Sequence, residues 1–168
     1  MIRVIAETDV EAFRALRLRA LAEEPEAFGA SAADFAATPL PDVATRLRAR
    51  EDAFVLGAFT PALVGMVGLV RERGQKRAHR ASIWGMYVAP EARGRGIGRS
   101  LMAEALARAA PLPGLEQVHL AVVATNAAAV TLYRSLGFTV YGRDPRALKL
   151  GDRYVDEELM VRWVRSEQ

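Results

Sequence analysis

Along this chain the spacing of apolar positions switches repeatedly between a period of two and one of about 3.6 residues, and each switch predicts an element boundary. Met1 to Ile5 reads as a short strand. Thr8-Asp9-Val10-Glu11 has the form of a capping box and opens a helix with Val10, Phe13, Leu16 and Leu21 on one side. Pro25 ends that helix, and Glu23 to Thr38 is expected to be a loop holding at most a short helical turn. Pro41 and Asp42 open a second helix with Val43 and Leu47 inward. Ala53 to Phe59 and Leu63 to Arg73 alternate as strands and form a hairpin about Thr60-Pro61-Ala62. After a polar, basic loop from Gly74 to Arg80, Ala81 to Val88 reads as a buried strand stopped by Pro90. The Arg93 to Arg99 stretch feeds a helix carrying Ile97, Leu101, Met102, Ala105 and Leu106 at helical spacing.

Pro111, Pro113 and Gly114 then break the chain. Gln117 to Val123 is again a strand, and Asn126 to Leu136 a helix halted by Gly137. Phe138 to Tyr141 begins a last antiparallel pair, which turns at Gly151-Asp152 and returns as Arg153 to Trp163. The order β-α-α-β-β-β-α-β-α-β-β predicts an α/β protein, a mixed sheet with helices on its faces. No repeat, low-complexity tract or second domain interrupts it, so residues 1–168 are expected to form one domain.

Composition narrows the chemistry. The chain is 51% hydrophobic and 26% charged, a globular balance. It has no cysteine, which excludes a disulfide framework and a thiol nucleophile, and its two histidines, His79 and His119, are too few and too distant for a metal site. The N-terminus lacks the layout of a secretory signal, and no apolar run is long enough to cross a bilayer, so a cytoplasmic location is expected and no membrane partner. The net charge is +3; Lys76 and Lys149 are the only lysines, so the other basic residues are arginines. Those arginines are mixed with acids rather than gathered on a basic face with aromatics, which argues against nucleic acid as a partner.

The most informative segment runs from Tyr87 through Val88-Ala89-Pro90-Glu91-Ala92-Arg93-Gly94-Arg95-Gly96-Ile97-Gly98-Arg99 to Ser100. A strand ends, glycines alternate with other residues, and an amphipathic helix begins. Glycines let main-chain N–H groups approach an anion, and the helix start adds free amides and a partial positive charge. With Arg93, Arg95 and Arg99 around it, this loop is expected to cradle a pyrophosphate. It is neither a Walker loop nor the dinucleotide fingerprint, because Gly-Lys-Ser/Thr is absent and the Gly94/Gly96/Gly98 spacing differs.

At these residues the sequence resembles the GCN5-related N-acetyltransferase (GNAT) family, whose signature Gln/Arg-x-x-Gly-x-Gly/Ala is matched by Arg93-x-x-Gly96-x-Gly98. The resemblance extends over nearly the whole chain. It includes Leu120-x-Val122, Asn126, Ala129 and Leu132-Tyr133-Arg134-Ser135-Leu136-Gly137-Phe138 as a second block, and Asp156 to Met160 as a closing strand. It implies about seven strands, with parallel strands 4 and 5 splayed apart, and four helices. It also implies acetyl-CoA as co-substrate, bound by Met86, Tyr87, Val88, Arg93, Gly94, Arg95, Gly96, Ile97, Gly98, Arg99, Asn126 and Tyr133. The main chain of Met86 and Val88 would pair with the pantetheine arm, and the Val88 N–H would polarise the thioester carbonyl. For Asn126 a helix N-cap and a pantetheine contact both stand. For Tyr133, a buried phenol bonded to the backbone stands beside the family's general acid, which protonates the departing thiolate.

Many relatives carry a glutamate on the strand that ends here at Val88; Ala81 to Val88 holds no carboxylate. Water held by Ser82, or Glu24, Glu26, His79, His119 or Glu157, remain open as bases. The resemblance places the acceptor between the loop Glu23 to Ser31 and the turn Arg146 to Asp156. Glu24 and Phe28 of that loop, with Ser82 and Trp84, are the candidate acceptor contacts. The loop either draws in a cationic amine or is a solvated segment tethered by Phe28. The expected activity is direct acetyl transfer to a small-molecule amine. A protein N-terminal acceptor, as in ribosomal-protein acetyltransferases, and a non-catalytic CoA sensor are the alternatives, and a homodimer is plausible in this family.

Overall fold

The computed structural model describes residues 1–164. One seven-stranded sheet, in the order β1-β2-β3-β4-β5-β7-β6, runs through the molecule. The strands are β1 (Ile2–Val4), β2 (Ala53–Phe59), β3 (Leu63–Arg71), β4 (Arg80–Val88), β5 (Gln117–Val123), β6 (Thr139–Leu150) and β7 (Arg153–Trp163). All neighbours are antiparallel except β4 and β5. The helices are α1 (Val10–Glu23), α2 (Ala32–Ala36), α3 (Leu40–Arg46), α4 (Ile97–Ala109) and α5 (Ala127–Ser135). Four of these match the expected helices; α2 is a single turn, capped by the Ser31 hydroxyl accepting from the Asp34 N–H at 3.0 Å. Among the described residues, no helix is long and apolar enough to cross a membrane.

The helices divide over two faces because the strands are apolar on both. On one face Leu101, Met102 and Ala105 of α4 pack on Leu56, Val67, Leu69, Val118 and Leu120. On the other, Phe13, Leu16 and Leu21 of α1 and Val43 of α3 pack on Val55, Met66 and Tyr87. Strand β4 therefore carries cores on both sides, which fixes the element from which the site is built.

The start of α1 departs from its expected cap. Thr8 and Asp9 make no side-chain cap for the helix; instead a 3₁₀ turn, Glu7–Asp9, precedes it. The Asp9 carboxylate takes the Ala6 N–H at 2.9 Å and a two-pronged pair from Arg3 at 2.7 and 2.9 Å. A bidentate guanidinium partner outcompetes the helix amides for that carboxylate. Arg3 holds Asp9 at about 2, below its ordinary 3.8. A depressed carboxyl stabilises the fold above its unfolded value and loses that contribution as pH falls through its folded value. The urea midpoint of the wild type should therefore drop more between pH 4 and pH 2 than that of Asp9→Asn, about which the pair has nothing left to lose. Equal drops would show that the pair contributes nothing.

Candidate active site

Strands β4 and β5 pair only at Arg80–Gln117, Ala81–Val118 and Ser82–His119. Beyond that point β4 stays with β3 and β5 stays with β7, so the two diverge. A bulge aids the divergence: Trp84 faces Gly68 and Tyr87 faces Met66, so Gly85 and Met86 together oppose Val67. Gly85 has φ +65°, a conformation costly for other residues. Gly68 has its own reason: a Cβ there would lie 2.1 Å from the Trp84 indole, which crosses it.

The divergence opens a cavity of about 310 Å³, walled by Trp84, Met86 and Val88 of β4, Leu120 and Val122 of β5, and Tyr133 of α5. Met86 and Val88 thus lie on the gap as expected. The Tyr87 side chain points to the opposite core, where its hydroxyl donates to Glu23 at 2.9 Å, and burial pushes its pKa up to about 12.

At the mouth of the gap the chain passes through Gly94 (φ +77°) and Gly96 (φ +74°) into α4. The first helical hydrogen bond is Ser100 N–H to Gly96 C=O at 3.0 Å. The amides of residues 94 to 99 have no backbone acceptor among the described residues, and open space surrounds both left-handed glycines. Such a concave row of N–H groups at a helix start binds anions. Gly98 serves packing: a Cβ there would meet the Met86 Cε at 2.9 Å, which lets α4 sit closely on β4 beside Ile97.

The three arginines divide, contrary to the expectation that all would ring this loop. Arg93 donates from Nε to the Val88 carbonyl at 2.9 Å and pairs with Glu24, so it clasps the strand end to the loop after α1. Arg99 donates to the Ser135 hydroxyl at 2.7 Å and ties α4 to α5. Arg95 is exposed on the loop itself. A carboxylate and a carbonyl within reach take up the guanidinium of Arg93, which the motif spacing alone does not reveal.

Tyr133 is 7% exposed and stacks edge-on to Phe138, with ring centroids 6.1 Å apart. Burial pushes its phenol up to about 12, so the proton stays on oxygen at neutral pH. Its hydroxyl has no protein partner among the described residues and lines the gap, which removes the reading of a phenol bonded to backbone. Asn126 does cap α5, its Oδ1 accepting from the Ala129 N–H at 3.2 Å, and it also lines the gap.

Of the residues expected to meet the acceptor, Phe28, Trp84 and Glu24 reach the gap, whereas Ser82 does not: it sits at the last paired position, where the strands are still joined. The acidic loop is not a free cation trap, because each carboxylate has an arginine. Glu23 pairs with Arg19, Glu24 with Arg93, and Glu26 with Arg153 at 3.1 Å. Among the other candidate bases, His119 is engaged by Gln117 at 2.8 Å and by Arg80 and Tyr141 at 3.3 Å, and burial lowers its pKa. Burial raises Glu157, which sits beside Asp144. Neither these two nor His79 lines the gap; Glu24 is its only carboxylate among the described residues. Arg17 of α1 also reaches this region and carries no motif, being one arginine among three on that helix.

These features match known proteins. The family model described as "Acetyltransferase (GNAT) family" matches residues 14–138. A mycothiol acetyltransferase of Brachybacterium faecium is 34% identical over 139 residues, covering 81% of this chain and 39% of the relative. A spermidine N(1)-acetyltransferase of Vibrio cholerae is 30% identical over 110 residues, covering 66% and 62%. The chain therefore spans between about two fifths and three fifths of the length of these relatives. The solved structure of a ribosomal-protein-alanine N-acetyltransferase from Brucella melitensis is 27% identical with a TM-score of 0.83, covering 97% of this chain and 99% of that one. Matched over most of its length, this chain belongs to the acetyltransferase (GNAT) family.

Proposed function

We propose that the chain transfers an acetyl group from acetyl-CoA to the amine of a small molecule, by direct attack within a ternary complex. The observation that carries this reading is the juxtaposition of two unfilled sets of main-chain groups. The edges of β4 and β5 are freed past Ser82–His119, and the unpaired amides of residues 94 to 99 stand at the mouth of the same gap. The fit to CoA is one of chemistry: a strand-like pantetheine arm suits the freed edges, and a pyrophosphate suits the amide row.

In this reading the Val88 N–H donates to the thioester oxygen as negative charge develops there, a contribution of roughly 3–4 kcal/mol for a donor so placed. The amine nitrogen bonds to the carbonyl carbon, the carbon–sulfur bond breaks, and the Tyr133 phenol gives its proton to the sulfur. A phenol raised to about 12 is a weak acid, but the desolvation that raises it also raises the thiol formed beside it, which keeps the gap between donor and acceptor small. The amine's own proton leaves through water, since Glu24 is already held by Arg93. Among the described residues no nucleophile–base pair lines the gap, which fits transfer without a covalent enzyme intermediate.

Small amines are favoured because two relatives are named for mycothiol and spermidine. A protein N-terminus is the second reading, supported by the name of the Brucella melitensis structure. Thiol release from acetyl-CoA, followed with a panel of spermidine, amino acids and an alanine-initiated peptide, tests both. Turnover of the small amines bears out the first reading, and turnover confined to the peptide the second. No heat of CoA binding in calorimetry would end both.

A further inference from the structure

We infer that the acceptor carries a carboxylate as well as an amine, and that the Arg17 guanidinium binds it. This rests on the acetyl-transfer reading and names its substrate class. The Arg17 guanidinium carbon lies 5.1 Å from the centre of the Trp84 ring, 5.6 Å from that of Phe35 and 5.9 Å from that of Phe28. Three elements contribute those rings, so a charged group is walled in by aromatic faces. Its Nη1 is sealed from solvent and finds no hydrogen-bond partner among the described residues. That nitrogen lies against β4, 3.0 Å from where a Cβ on Gly85 would stand, so the bulge glycine makes room for it.

Leaving a guanidinium N–H buried and unmatched is costly, and the half-buried remainder of the Arg17 side chain lines the second cavity, where a ligand meets it. The charges nearby do not complete this one. Asp34 and Arg46 line the same second cavity, of about 400 Å³, yet Arg17 feels desolvation alone, with no opposing charge acting on it. The loop carboxylates Glu23, Glu24 and Glu26 are held by Arg19, Arg93 and Arg153.

Position ties this group to the reaction. Trp84 walls both the second cavity and the gap between β4 and β5, and Gly85 and Phe28 belong to the gap. An acceptor whose carboxylate lies on Arg17 has its amine on the Gly85–Met86 side of the indole, facing the β4 edge. A planar fork of N–H groups suits a carboxylate, and the Phe13, Phe35 and Trp84 walls suit an apolar side chain.

The test uses matched amines with and without the carboxylate: phenylalanine against phenethylamine, methionine against 3-(methylthio)propylamine, and leucine against isoamylamine. At saturating acetyl-CoA, kcat/KM should favour the acid member by about tenfold or more in at least one pair, the size expected for a charge-assisted hydrogen bond. Arg17→Met should remove the preference through KM, Arg17→Lys should restore part of it, and the Tm of Arg17→Met should hold or rise, because an orphaned charge has been replaced by an apolar chain. Equal or better use of the decarboxylated members by the wild type would overturn the inference and leave acetyl transfer standing. A lowered Tm with equal losses for both members would overturn it too, by making Arg17 structural. If CoA binds and no pair turns over, titrating the CoA complex with each pair decides: tighter binding of the acid member supports the inference, and equal binding overturns it. Failure to bind CoA at all would remove the transfer reading and this one with it.

Discussion

Tyr133→Phe should lower kcat by a factor of about 10² to 10⁴, the range of a positioned general acid, and leave the affinity for CoA unchanged. The substitution removes one oxygen and keeps the ring in its edge-on contact with Phe138 at 6.1 Å. Since that hydroxyl has no protein partner among the described residues, its loss strands no buried donor or acceptor, and Tm should move little. The pH profile adds a second readout. Burial favours the neutral phenol, so the donor is intact at every pH below its raised value of about 12 and is lost only above it. The wild-type rate should therefore rise as the amine deprotonates and show no descending limb from Tyr133 below about pH 11. Stopped or steady-state thiol release with calorimetry in parallel checks this. Unchanged kcat in the Phe variant would remove Tyr133 from the chemistry, and a wild type that binds CoA without turnover would make the chain a sensor.

Gly96→Glu should weaken CoA binding at least about a hundredfold, equivalent to roughly 2.7 kcal/mol. Two effects combine there. A residue with a Cβ at φ +74° costs about 1–2 kcal/mol in backbone strain. A carboxylate is also delivered into a row of amides that suits an anion, where it repels the phosphates and takes their donors. Steric clash is not part of the expectation, because nothing lies within 4 Å of the added Cβ. Gly96→Ala is then the informative control: it carries the strain without the charge, so its loss of affinity should be much smaller while its loss of Tm is similar. Calorimetry and thermal melts separate the two. Matching affinities for Ala and Glu would mean that loop shape, rather than amide-to-anion contact, governs binding.

Much of the fold was legible because each element announces itself locally. Ala53–Phe59 and Gln117–Val123 have the bounds that their apolar runs predict, and Gly137, at φ +90°, closes α5 as its position suggests. The anion loop was legible for the same reason, since φ > 0 at Gly94 and Gly96 is a backbone need that only glycine meets cheaply. What escaped depends on groups far apart in sequence. Arg93 fits the motif, yet Glu24, distant along the chain, claims it. The acidic loop looked like a lure for cations until Arg93 and Arg153, from distant segments, proved to hold Glu24 and Glu26, with Arg19 one helical turn back holding Glu23. Arg17 carries no motif, and only the meeting of Phe28, Phe35 and Trp84 around it makes it a half-buried charge. Ser82 lay one step too early on its strand, because the place where two parallel strands part is set by the bulge at Gly85 and Met86 rather than by any local spacing.

The most direct measurement follows the backbone amides of the ¹⁵N-labelled protein while CoA is added. If the amides past the end of β4 hold the pyrophosphate, the signals of Gly94 to Arg99 should move most and saturate together with those of Met86 and Val88. If CoA binds while Gly96, Ile97 and Gly98 stay where they were, the anion is held elsewhere and the proposed site is wrong.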